Sequence, residues 1–332
     1  MKINKHFLFF LAILLFSSIT LKAQENIINF LSGSVSDATK LSKAYIDPFA
    51  NGFGSALNHG WYNSAKPHKL GGFDITFSVA TAIPPSSSKT FDVSKLGLTA
   101  WTLQNPANVL SPTVTGNKSN GPVLIPTGVI PGQPASMTLP QGANLKFIPS
   151  PMIQIGIGLP LNTELIVRYL PKIDVPDVGN FSMFGFGIKN EFKEFIPGFK
   201  ALPFNVSALL GYTKFTSNFD LSAPQTGNSK QTLDFSATGY TGKLLISKSI
   251  PVLTVYAGVG INKSKTNVDL KGKYNIPGVG VDISNPFSLE FKNSGVNANI
   301  GLRIKLTVIA FHFDYTVGKY KLYNAGVGIN FR

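Results

Sequence analysis

The last fourteen residues read KYKLYNAGVGINFR (319–332). From Tyr323 onward, apolar and small polar residues take turns. Tyr323, Ala325, Val327, Ile329 and Phe331 fall on one side, and Asn324, Gly326, Gly328 and Asn330 on the other. A period of two marks a β-strand with two unlike faces. The apolar face needs a dry environment, which either a protein core or a lipid bilayer supplies.

The rest of the chain decides between them. Phe73, Ile75, Phe77 and Val79 alternate with Asp74, Thr76 and Ser78, and Ile153, Ile155, Ile157 and Leu159 with Gln154, Gly156 and Gly158. Similar runs begin near 163, 181, 203, 252, 295 and 308. Their second faces carry Gly, Asn and an occasional charge, not the Lys, Glu and Thr that coat the wet face of a soluble sandwich. Charge collects between the runs instead. Runs of about ten residues with this repeat predict an all-β fold, a transmembrane antiparallel β-barrel. The strand count should be even, about 10, with room for 12 or 14 if long connections hide strands. In the closing strand the apolar face should meet lipid, the Asn/Gly face the lumen, and Phe331 the periplasmic interface.

Composition agrees. Only 14% of the 332 residues are charged, against roughly 25% in a typical soluble domain. There is no cysteine, hence no disulfide and no thiolate metal site. No stretch after the first segment holds 18 consecutive apolar residues, so a helical span is not expected. Any passage through a membrane must then use a closed barrel, which alone pairs every strand edge.

The first segment, MKINKHFLFFLAILLFSSITLKAQ (1–24), places Lys2 and Lys5 before an apolar run from Phe7 to Phe16, followed by small and polar residues. This is the order of a secretory signal peptide, with cleavage expected after Ala23. Losing residues 1–23 removes Lys2, Lys5 and Lys22 and no acid, so the formal charge falls from +14 to +11. An exported basic protein points to anionic lipid, lipopolysaccharide phosphates or anionic solutes, and not to nucleic acid.

Residues 25–45 predict a helix, with Ile27, Phe30, Leu31, Val35, Ala38, Leu41 and Tyr45 on one stripe. A compact, non-strand stretch rich in Gly, Asn and aromatics follows, and 24–70 reads as a plug-like unit. The barrel is expected over 71–332. Short turns such as 159–162 and 249–253 alternate with long connections at 83–150, 216–231 and 263–286. Barrels keep short turns in the periplasm and long loops outside, which makes 83–150 external.

The signal ending KAQ, the stretch YIDPFANGFGSALNHGWYNSAKPHKLGGFDITF (45–77) and the C-terminal alternation resemble an uncharacterised outer-membrane barrel family of Bacteroidota. More distantly, the layout resembles the long-chain fatty-acid transporter barrels. That resemblance implies an N-terminal hatch inside a barrel that carries hydrophobic compounds. Asn105-Pro106-Ala107 has the letters of their hatch motif but lies after the first strand. An aromatic-ended last strand is also similar to the signal read by the barrel insertion machinery, an expected partner.

Two groups of residues are candidates for function. His59, Trp61, Tyr62 and His68 cluster in the plug, either to touch a ligand or to anchor the plug by packing. By parity Glu164, Arg168, Lys189, Arg303 and Lys305 face the lumen, as an anion-attracting wall or as ion pairs filling a narrow barrel. His312 and Asp314 also face the lumen, about 6.6–6.8 Å apart along their strand. No G-x-S-x-G motif is present, the two plug histidines lack a third ligand nearby, and neither an enzyme, a metal nor a cofactor is expected. Two functions remain: passive transport or binding of small hydrophobic or amphipathic molecules, or a structural or assembly-partner role without transport.

Overall fold

The computed structural model describes residues 30, 34–128, 134–175, 179–193, 196–198, 201, 203–221, 231–275 and 282–331. The expected signal peptide lies outside them. Ten strands form a closed barrel: β1 (Phe73–Ile83), β2 (Ile148–Leu159), β3 (Thr163–Val175), β4 (Gly179–Glu191), β5 (Asn205–Leu221), β6 (Gln231–Ser249), β7 (Leu253–Lys271), β8 (Phe287–Leu306), β9 (Ile309–Val317) and β10 (Lys321–Phe331). Every neighbouring pair is antiparallel. The opening stretch closes the ring: β10 pairs with β1 from Phe73↔Phe331 to Ile83↔Lys321. No helix among the described residues is long and apolar enough to cross a membrane.

The outward faces change character along the longer strands. On β7 the outward residues Leu253, Val255, Val259 and Ile261 give way to Lys263 and Lys265. On β8 the partner positions behave alike: Val296 lies opposite Ile261, Ser294 opposite Lys263 and Lys292 opposite Lys265. Leu253 to Ile261 spans about 27 Å along the strand, or about 20 Å along an axis tilted by ~40°. That suits the apolar band of a membrane barrel. Tyr212 and Tyr240 meet at its upper edge, tilted at 55° with ring centres 5.2 Å apart, and Phe73 and Phe331 stack at the other end at 4.8 Å.

Two expected loops therefore begin as strand. The 263–286 connection starts as the upper part of β7, and 216–231 as the end of β5, because their inward residues have something to cover. β6 fills the interval between the expected loop and turn. The 83–150 connection is folded. It holds a two-stranded sheet (Thr90–Asp92 with Leu110–Pro112) and a three-stranded one (Trp101–Leu103, Val123–Pro126 and Met137–Thr138).

Helix α1 (Val35–Leu57) stands inside the barrel. It starts and ends later than the expected 25–45, and residues 25–29 and 31–33 lie outside the described ones. The Ser34 hydroxyl caps it by accepting from the Asp37 amide. Pro48, Gly52 and Gly54 would be poor interior residues in solution. Here the lumen needs them: a Cβ on Gly52 would lie 2.5 Å from Ile148, and one on Gly54 2.5 Å from Ser264. Phe53 packs between Phe215 (4.9 Å) and Phe235 (5.3 Å) in an apolar upper lumen with Val268, Leu289 and Phe291.

The folded connection caps this helix. The buried Asp37 carboxylate accepts from the amides of Thr99 (3.0 Å) and Ala100 (2.8 Å). The Tyr45 carbonyl accepts from the Val114 amide, and the Tyr45 hydroxyl donates to the Gln141 carbonyl. Asn105-Pro106-Ala107 forms a turn here, in which the Asn105 side chain accepts from the Ala107 amide. It takes no part in the plug.

Candidate functional site

Below α1 the lumen turns polar, and the chain descends through it from Asn58 to the start of β1. A helix leaves its last four carbonyls without helical partners, and here each is answered. Gly54 accepts from the Asn58 side chain, Ser55 from His59 Nδ1 (2.8 Å), and Ala56 from the His59 amide (3.0 Å). The fourth, Leu57, accepts from Arg168.

Arg168 on β3 is fully buried and forms no ion pair among the described residues. Its guanidinium donates to the carbonyls of Leu57 (2.9 Å) and His59 (2.6 Å), and to Thr213 and Gln154 (3.3 Å each). The Trp61 ring lies 3.6 Å from it, face on. A cation at the negative end of a helix dipole is favourable, and carbonyls replace the missing carboxylate.

Trp61 and Tyr62 fill the remaining width. Trp61 lies on two wall glycines, so that a Cβ at Gly187 or Gly211 would come within 2.8 and 2.7 Å of its ring. Tyr62 donates to Asn299 and occupies the space a Cβ on Gly258 would take. The glycines of the inner faces are thus seats for the plug's aromatic rings. His59 is held neutral by burial and by the charges of Lys243 and Arg168, its pKa brought down to about 3.

Nearer the short turns the plug is strapped to the wall. Ser207 donates to the Ala65 carbonyl, the Ser247 hydroxyl accepts from the Ala65 amide (3.0 Å), and Lys189 donates to the Ser64 carbonyl (3.2 Å). Glu164 accepts from the His68 amide and from His68 Nδ1, both at 2.9 Å, and pairs with Lys189 at 3.0 Å.

His68, Asp74 and Glu164 each bring a ligand-type atom within 4.8 Å of the others. Both Glu164 oxygens are already engaged, one by an ammonium group, and Asp74 accepts from Thr76 at 2.5 Å. The cluster reads as an ion-pair network with its cation built in. His59 and His68 have separate partners and do not meet.

His312 and Asp314 face the lumen but do not bond to each other. Asp314 accepts from Tyr256 (3.0 Å) and Asn324 (2.8 Å), whereas His312 Nδ1 has no partner among the described residues. Arg303 donates to Asn330, and Lys305 stands half-buried near the short-turn mouth. Lys243, Tyr256, Asn299 and Asn330 belong to the same network and were not anticipated. The signal for Lys243 was the alternation of Tyr240, Leu244 and Ile246 around it, broken by Gly242.

Barrel, internal helix and strapped descending segment define the class: a β-barrel with an apolar outer band, closed by its own N-terminal part. The chain belongs to a family of unknown function, DUF6588, which it matches over residues 1–331. No curated protein matches it. Among solved structures it is similar to Ail of Yersinia pestis in complex with the heparin analogue sucrose octasulfate, at TM-score 0.30 and 11% identity over 79% of this chain and 99% of that one. It is also similar to the translocator domain of the autotransporter NalP from Neisseria meningitidis, at TM-score 0.29 and 10% identity over 80% and 89%. The β domain of the Bordetella autotransporter BrkA follows at TM-score 0.27 and 10% identity over 79% and 98%. The architecture rests on this chain's own strand pairing.

Proposed function

We propose that this protein is an outer-membrane barrel that its own N-terminal segment keeps shut, serving as a sealed scaffold and not as a standing pore. The observation that carries this reading is the filled cross-section between Leu57 and Tyr62. There Arg168 binds the plug's carbonyls and Trp61 seats on Gly187 and Gly211. The folded 84–147 connection, bonded to α1, is the surface such a scaffold would offer to partners outside. Lys214 and Lys263 stand outward above the apolar band with no ion pair among the described residues, which supports contact with lipid and lipopolysaccharide phosphates.

A second reading has one observation in its favour. The lower plug is held by hydrogen bonds donated by Ser207 and Lys189 and accepted by Ser247, which water could replace. A displaced plug would then pass a small hydrophobic or amphipathic molecule, as the resemblance to fatty-acid transporter barrels implies.

Conductance in planar bilayers tests both readings, with the chain from residue 24 and with a form lacking 25–70. The sealed scaffold predicts silence from the first and steady conductance from the second. Steady conductance from the intact chain would refute the seal. A rise in uptake of a fatty-acid probe by the intact chain would favour the transporter.

A further inference from the structure

Beneath Trp61, at the end with the short turns, plug and wall enclose a cavity of about 240 Å³. Lys66, Lys69, Lys189, Arg303 and Lys305 line it, against Asp74 and Glu164, an excess of three positive charges. Internal pairing does not reduce that excess, because each pair removes one charge of either sign. Glu164 is already paired with Lys189, whereas Arg303 and Lys305 form no ion pair among the described residues.

The unanswered groups point the same way. Three residues of this wall each keep a buried nitrogen without a partner among the described residues: Trp61 Nε1, Arg303 Nε and Asn330 Nδ2. All three are donors, and among the described residues no fully buried side-chain acceptor of the same wall lacks a partner. Buried donors normally find partners. A wall with surplus cations and surplus donors is complementary to negatively charged oxygen, which accepts charge-assisted bonds.

Access comes from one side. Ile250 and Val252, in the exposed turn between β6 and β7, form the rim with Lys69. The other side is closed by Trp61 and Arg168. The volume exceeds that of a single water and suits a small solute more than a lipid chain.

We propose that this cavity is a binding site for a small oxyanion, the carboxylate or phosphate group of a solute that enters at the short-turn mouth. The site belongs to the closed form of the barrel and does not depend on transport.

The chain has two tryptophans, so Trp101→Phe leaves Trp61 as the only indole reporter. Detergent-solubilised protein with that change is titrated with inorganic phosphate, glycerol phosphate and succinate, at ionic strength held constant with chloride. The proposal predicts a saturable change in Trp61 emission with at least one of the three and none with chloride. The anion that saturates at the lowest concentration assigns the group as phosphate or carboxylate. Lys305→Gln should raise the half-saturating concentration at least tenfold, and Lys305→Glu should abolish the response. Circular dichroism verifies folding, and Lys66→Gln, at an exposed plug position, provides the same test should the Lys305 variants unfold. No saturation with any of the three, or an equal response to chloride, would overturn the site. So would saturation by Mg²⁺ or Zn²⁺ that Asp74→Asn removes, since the cluster would then be a cation site.

Discussion

Arg168→Met tests whether one side chain holds the plug. The guanidinium makes two short bonds to carbonyls, 2.9 Å to Leu57 and 2.6 Å to His59. Charge-assisted bonds of this kind are worth about 1.5–3 kcal/mol each, and the stacked Trp61 adds about 1–2 kcal/mol. The substitution also relieves the cost of burying a charge without a carboxylate, which is several kcal/mol. The balance is a loss of about 2–4 kcal/mol in plug retention, because two carbonyls are left in the lumen without donors. At 1.4 kcal/mol per factor of ten, the plug-out population rises about 30- to 700-fold. The barrel itself should persist, since β3 keeps its backbone pairing with β2 and β4. The assays are conductance and limited proteolysis within 58–72, with circular dichroism as the control. Arg168→Lys, which keeps charge but loses the planar fork, should fall between the two. If Arg168→Met neither conducts nor becomes protease-sensitive, the plug is held by packing alone and the argument from carbonyl satisfaction is wrong.

Acid should loosen the plug. His59 has a pKa of about 3 in place and an ordinary value of about 6.5 when released, so the released form binds more protons below pH 6.5. The plugged state is fully stable above pH 6.5 and loses stability as pH falls toward 3, by about 3 kcal/mol at pH 4. Protease sensitivity of 58–72 should rise over that window, and His59→Leu should flatten the response. Gly211→Leu should unseat Trp61, whose ring lies 2.7 Å from the new Cβ, and shift its emission to the red. Gly242→Leu, where the nearest neighbour is a flexible Leu210 side chain at 3.4 Å, should leave that emission unchanged. Asn58→Cys with Gly239→Cys places two thiols where Asn58 Oδ1 meets the glycine's would-be Cβ at 2.5 Å, in a chain without other cysteines. Oxidation should lock the plug and silence the Arg168→Met channel, and reductant should restore conductance.

What could be read from the residues was whatever has a period. Parity along β3 put Arg168 on the inner face, and parity along β9 did the same for His312 and Asp314. The alternation is forced by the pleat and needs no knowledge of partners. The partners themselves have no period. Arg168 is answered by carbonyls of a segment more than a hundred positions away in sequence, and any residue type would have supplied them. The helix was legible as an element, through the stripe from Val35 to Tyr45, but not in its extent to Leu57, because Pro48, Gly52 and Gly54 count as breakers only where water is the neighbour. Inside a narrow barrel small residues let the helix backbone approach the wall, and packing overrides propensity.

The same reasoning changes how the inner faces are to be read. An Asn/Gly lining is what a water-filled channel would show, and alternation cannot tell a channel from a plugged barrel. The difference lies in the sizes on the two sides of the lumen. Gly187 and Gly211 stand opposite Trp61, and Gly258 opposite Tyr62. A wet channel has no reason to pair its smallest residues with its largest. A plug that must seat aromatic rings against a pleated wall requires that pairing, since no side chain can share the space. The wall glycines under Trp61 and Tyr62 therefore argue for a lumen built around its contents, and the closing strand takes part through Asn330, whose Oδ1 lies 3.4 Å from His68 Nε2 of the plug: its apolar face stays exposed on the outside of the barrel, and its inner face meets the protein's own chain.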